Sequence, residues 1–267
     1  MTQGREPPEY LKRLNNHPRD QYIEFDEGPH IYTVHGEQGY TSVTTWNHSH
    51  FSHFDADEVL EKMEKKGTLQ DPSSKYYGMT RKQIKATWAK NAKEASCSGT
   101  SMHEDIEHYY NLEPRKNDSI EYTYFLKFAQ DYQHLKPYRT EWMVYYEEYK
   151  LSGSIDMVFE NPEDGTLIIY DWKRVKEIKY EHDFNKFAHT PCISHLPDTN
   201  FWHYSLQLNT YKTILEHKYG KTISGMYLVC LHPDNPAKTY ERIEVSDLKI
   251  EIENLFDYRK KQIEEKI

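Results

Sequence analysis

Two short apolar runs, Gly153-Ser154-Ile155-Asp156-Met157-Val158-Phe159 and Leu167-Ile168-Ile169-Tyr170-Asp171-Trp172-Lys173, constrain this chain more than any other feature, because each carries a carboxylate inside a strand pattern. The intervening Asn161-Pro162-Glu163-Asp164-Gly165 is turn chemistry, so the runs read as a hairpin of adjacent strands. Side chains alternate faces along a strand. Asp171 and Lys173 therefore point the same way, with the Trp172 carbonyl between them as a third oxygen donor. With Asp156 on the neighbouring strand, this is the donor set of a divalent-metal site with a built-in cation. Upstream, Gly99-Thr100-Ser101-Met102-His103-Glu104-Asp105-Ile106-Glu107 reads as the opening of a helix that places His103 and Glu107 one turn apart on one face. Downstream, Gln207 and Tyr211 repeat that spacing on another helix.

The remaining pattern is α/β. Residues 1–20 read as a poorly ordered or loosely docked leader, and 22–25, 30–34 and 40–44 as a small antiparallel meander. Helices are expected over 55–66, 80–95, from 99 onward, 118–134 and 201–219, and strands over 140–146, 149–160, 166–171, 221–230 and 239–245. Ser246 is placed to cap a final helix. The expected division is an N-terminal β/α extension, residues 1–94, packed on a core of residues 95–267.

Composition narrows the function classes. In 267 residues no apolar run approaches the ~20 that a membrane span needs, and the N-terminus lacks a signal-peptide stretch, so a soluble intracellular protein is expected. Cys97, Cys192 and Cys230 are scattered, which leaves neither a disulfide framework nor a cysteine metal cluster. The formal net charge of −9 argues against nonspecific coating of nucleic acid, which relies on a broad basic field. A local groove on an acidic protein remains compatible with a nuclease. With 23 tyrosines, much of the core is expected to be built from tyrosine.

Asp156, Asp171 and the Trp172 carbonyl are hard oxygen donors suited to Mg2+ or Mn2+, and His103 as a ligand shifts the preference toward Mn2+. A carboxylate-bound divalent ion supplies most of what phosphodiester hydrolysis needs. Lys173 beside that ion would orient or deprotonate the attacking water or neutralise the phosphorane, its pKa lowered by the metal charge.

Gly99-x-x-x-His103, Gly153-x-x-Asp156, Asp171-x-Lys173 and Gln207-x-x-x-Tyr211, in that order, resemble the signature of the RecB-like branch of the PD-(D/E)XK nucleases and look similar to the mitochondrial genome maintenance exonucleases. The likeness covers roughly residues 95–230. It implies a restriction-endonuclease-like core, a mixed central sheet flanked by helices, in which His103, Asp156 and Asp171 bind the ion and Lys173 acts on the water. It further implies that Gln207 and Tyr211 stand beside the site and position its strands or the DNA backbone. Glu141, on the strand before that of Asp156, is a secondary acid, and Glu107 is a second such candidate, as a metal ligand or as a residue beside the ligands.

Each residue also has an ordinary reading. Asp156 would serve equally to pair with an arginine, His103 to cap a helix, Glu107 as a surface position, and Gln207 and Tyr211 as helix packing; Tyr204, Leu208, Tyr211 and Leu215 form an apolar stripe. Residues 182–200 form a long irregular stretch in which Phe184, Lys186 and Phe187, with Arg174 and Lys176 before it, are candidates to stack and steer a single strand. The expected function is a metal-dependent exonuclease or flap-trimming nuclease on single-stranded DNA or single-stranded ends, in replication, repair or recombination. A structure-specific endonuclease of the same fold and a silent nucleic-acid-binding module are the alternatives. Oligomeric state is left open.

Overall fold

The structure, a computed structural model, describes residues 8–182 and 185–265. In chain order the elements are α1 (Tyr10–Leu14), β1 (Ile23–Asp26), β2 (Ile31–Val34), β3 (Thr41–Ser42), α2 (Val43–His48), α3 (Ala56–Lys65), α4 (Arg81–Tyr110), α5 (Ile120–Asp131), β4 (Lys136–Tyr146), β5 (Leu151–Glu160), β6 (Leu167–Lys173), α6 (Asn200–Tyr219), β7 (Ile223–Cys230), β8 (Glu241–Glu244) and α7 (Lys249–Glu264). The chain divides into two units. One runs through Ser52 and resumes at Met102; the other is His53–Ser101. The expected boundary at 94/95 falls inside α4, and the residues up to Ser52 group with the core.

The smaller unit holds α3 and the first part of α4. Asp55 caps α3 by accepting the N–H groups of Asp57 and Glu58, Arg81 pairs with Glu64 and Lys85 with Asp57, and Trp88 Nε1 donates to the Tyr76 hydroxyl at 2.8 Å.

In the larger unit the expected hairpin of β5 and β6 is the centre of a six-stranded mixed sheet. Its order is β3-β5-β6-β7-β8, with β4 also paired to β5. Strand β5 is antiparallel to both β4 and β6, whereas β6 and β7 are parallel. Parallel neighbours need a crossover, and α6 supplies it. It covers one face of the sheet, where Leu208, Tyr211, Ile214 and Leu215 pack against Val144, Ile155, Ile169 and Leu228. The other face is aromatic: Met102, Ile106 and Tyr110 of α4 and Phe125 and Phe128 of α5 meet Phe159, Tyr170 and Trp172. Tyr110, Tyr145, Tyr170, Tyr211 and Tyr219 are buried, but leucine and isoleucine supply more of the core than tyrosine does.

Four expectations give way. Residues 40–44 do not complete a meander: β1 and β2 form a two-stranded hairpin, while Thr41 and Ser42 join the main sheet beside β5 before α2 begins. The two helices expected on either side of residues 96–98 are one, since the helix formers around Gly99 outweigh its cost of about 1 kcal/mol. Ser246 does not cap α7; the N-cap is Leu248, whose N–H donates to Asn209 Oδ1, and the Ser246 carbonyl accepts from Asn209 Nδ2. The leader is docked from residue 8 onward: α1 is followed by a 3-10 turn, Pro18–Tyr22, whose Asp20 makes a buried ion pair with Arg139 at 2.6 Å. Within residues 185–200, irregular as expected, Ala188, Ile193 and Leu196 are buried among Trp46, Phe51, Leu206 and Phe256.

One close approach ties α6 to β5. A Cβ on Gly153 would stand 2.6 Å from the Tyr211 hydroxyl and 2.9 Å from its ring, so the tyrosine lies directly on the strand backbone three residues before Asp156. Gly153→Ala is expected to cost about 1–3 kcal/mol through overpacking, read as a lowered urea midpoint. An unchanged midpoint would show that the helix has room to retreat.

Candidate metal centre

The ladder between β5 and β6 ends at the pair Met157 and Tyr170. Beyond it the strands part, and Asp156 and Asp171 are the next residues. Asp156 Oδ2 accepts the Trp172 N–H at 2.9 Å, so a carboxylate takes a backbone donor that the parted ladder leaves open. Alternation in β5 also reverses here: Ile155 packs toward α6, but Met157 packs toward α4 and α5. Opposite Asp156, between the pairs Thr140–Met157 and Trp142–Ile155, stands Glu141 with φ of 41°. A left-handed conformation costs a residue with a Cβ about 1–2 kcal/mol, and here it coincides with the acidic cluster. Ser154 Oγ donates to Glu141 Oε2 at 2.8 Å.

His103 reaches this point from α4. Its Nδ1 lies 3.6 Å from Asp156 Oδ2 and 3.8 Å from Glu141 Oε1, and its Nε2 lies 3.0 Å from the Trp172 carbonyl oxygen. With the proton on Nε2, the ring donates to that carbonyl and leaves an Nδ1 lone pair facing the two acids. His103, Glu141 and Asp156 each offer a ligand atom, and these atoms lie within 4.8 Å of one another. Asp171 is not in that trio. Its Oδ2 stands 2.7 Å from Lys173 Nζ, yet it is a buried oxygen with no hydrogen-bond partner of acceptable geometry. One imidazole nitrogen, carboxylate oxygens and an under-satisfied buried oxygen fit a divalent cation such as Mg2+ or Mn2+.

The electrostatics follow from crowding. Burial disfavours a charged His103, but Asp156 and Glu141 outweigh it and raise the imidazole to about 9. Burial raises Asp171 to about 7 against the pull of Lys173, with Asp156 adding to the rise; Asp156 is itself raised by burial. Glu107, one turn from His103, is pushed up to about 7 by burial and by Glu141 and Glu104. A proton on His103 and a divalent cation thus answer the same negative charge. For Lys173, burial works against the charge, but Asp171 and Asp156 prevail and raise it above its ordinary value. The expected lowering by an ion is therefore opposed by the protein's own acids.

Sequence reasoning missed two neighbours. The Lys173 ammonium sits 4.5 Å from the centre of the Tyr204 ring, a cation–π seat from α6. Tyr204 showed only as part of an apolar stripe, although it lies three residues before Gln207. Ser154, which holds Glu141, shows as one small polar residue in the glycine motif. Gln207 and Tyr211 are buried at 7% and 3% exposure, on the α6 face that carries Tyr204.

The candidates for substrate contact are dispersed. Arg174 is answered internally by Glu121 at 2.6 Å. Lys176 is exposed, Lys186 is half-buried, and Phe187 is 46% exposed; Phe184 lies outside the described residues. Among the described residues no helix is long and apolar enough to cross a membrane.

Among curated proteins none matches the chain. The model of the PD-(D/E)XK nuclease superfamily matches residues 68–266, a span that holds His103, Glu141, Asp156, Asp171, Lys173, Gln207 and Tyr211. The chain therefore belongs to the PD-(D/E)XK nuclease superfamily, and is a metal-dependent nuclease.

Proposed function

We propose that this nuclease trims single-stranded DNA from an end, as an exonuclease or flap-processing enzyme in replication, repair or recombination. The observation that carries the reading is the convergence of His103, Glu141 and Asp156 beside the Asp171–Lys173 pair. In this reading His103, Asp156 and Asp171 hold the cation, with Glu141 as a further oxygen donor and the Trp172 carbonyl at the edge of the site. Manganese suits the imidazole better than magnesium does. A cation held there would supply charge relief at the phosphate and a more acidic water. Lys173, kept protonated by Asp171 and Asp156 and seated on Tyr204, orients that water and stabilises the charge growing on the phosphate. Proton abstraction by its amine requires those carboxylates to be answered first. Tyr211, pressed on Gly153, keeps β5 and Asp156 in place, and Gln207 lies one turn before it. Glu107 remains a neighbouring acid without a ligand role.

Preference for single strands is supported by exposed Phe187 and Lys176 and by Lys186 in the segment after β6, where base stacking contributes about 1–3 kcal/mol per base. End-labelled linear and circular single strands incubated with manganese test the proposal. Loss of the linear strand alone is expected; cleavage of the circle would make the enzyme an endonuclease, and binding without cleavage would make it a silent module.

Lys173→Ala is expected to abolish cleavage while leaving cation affinity equal or tighter, because the ammonium competes with the ion for Asp171. Calorimetric titration with Mn2+ beside the cleavage assay checks this. Retained cleavage, or affinity lost together with activity, would contradict the assigned role.

A further inference from the structure

We infer that Asp20, in the N-terminal arm outside the family-matched span, is a positioning residue that holds Glu141 in the metal cluster. The inference rests on the proposed reading of Glu141 as an oxygen donor to the cation.

Glu141 adopts φ of 41° within a strand, a conformation that persists only where its neighbours over-determine it. Those neighbours are gripped one by one. The Tyr138 carbonyl accepts from Asn15 Nδ2 at 2.8 Å, and Arg139 Nη1 donates to the Asn15 carbonyl at 3.1 Å. Thr140 Oγ1 accepts from Asn111 Nδ2 at 2.8 Å, and Asn111 Oδ1 in turn accepts the Leu11 N–H at 2.9 Å. The two oxygens of Asp20 straddle the strained residue: Oδ2 accepts from Arg139 Nη1 at 2.6 Å and Oδ1 from Trp142 Nε1 at 3.0 Å. Asp20 is fixed by its own turn, where Oδ2 also accepts the His17 N–H at 3.1 Å. One carboxylate therefore pins the residues two before and one after Glu141, whose own side chain accepts from Ser154 Oγ and faces His103.

The ion pair is buried, with side chains 8% and 4% exposed, so it costs desolvation and is weak evidence for stability on its own account. A merely structural anchor would need one contact anywhere on the strand. Bracketing of the left-handed residue is what assigns the arm to the site.

Mn2+ affinity of the full chain, measured by calorimetry for wild type, Asp20→Asn, Glu141→Gln and the double variant, tests this. Asp20→Asn should weaken binding about tenfold, the scale of outer residues that orient ligands, and Glu141→Gln at least as much. If Asp20 acts through Glu141, the double variant should match Glu141→Gln within about twofold. Independent, multiplying losses, or wild-type affinity in Asp20→Asn, would overturn the positioning role. Wild-type affinity in Glu141→Gln would instead overturn the reading of Glu141 itself. Should Asp20→Asn fail to fold by circular dichroism, Trp142→Phe, which removes one donor to Asp20, is judged by the same cycle.

Discussion

Carboxylates crowded into a largely buried cluster repel one another, and the charged groups beside them answer that repulsion. Two unit charges 4 Å apart at an effective dielectric of about 20 interact by about 4 kcal/mol, a large fraction of a domain's net stability. Asp156, Asp171 and Glu141 are kept together because His103 and Lys173 supply positive charge from two different elements, α4 and β6. The raised imidazole and the raised ammonium express the surrounding negative charge, whereas the Asp171 carboxyl is raised first by burial, with Asp156 adding to it. A divalent cation is the economical answer to that negative charge, since one ion replaces protons that the site otherwise has to carry.

Backbone geometry is bent to the same end. An unbroken ladder would send Asp156 and Asp171 to whichever faces alternation dictates. Parting of β5 from β6, reversal of alternation at Asp156 and the left-handed turn at Glu141 instead let side chains from both sides of the sheet meet at one point. The supports lie outside the chemistry: Tyr211 against Gly153 from α6, and the N-terminal arm along β4.

The chemistry was legible where it follows strand and helix periods. Asp171 and Lys173 on one strand face and His103 one turn from Glu107 are short-range facts, whereas the mixed sheet was expected from the family resemblance and not from the pattern of apolar runs. What sequence could not show depends on tertiary partners. The arm looked like a leader because its anchors are single polar residues, Asn15, Arg19 and Asp20, whose partners lie more than a hundred residues away. Glu141 looked secondary because neither pattern nor propensity signals a left-handed residue in a strand. The segment after residue 182 looked like a loop because Ala188, Ile193 and Leu196 have no period, although they fill a core.

In the proposed site one divalent cation sits on an imidazole nitrogen of His103 among these carboxylates. Electron-nuclear double resonance of Mn2+ bound to the full chain tests it most directly, with 15N-histidine labelling to identify the nitrogen. Hyperfine coupling to a single imidazole nitrogen is expected, and it should disappear in His103→Ala. Coupling that survives in that variant, or its absence from the wild type with Mn2+ bound, would contradict it.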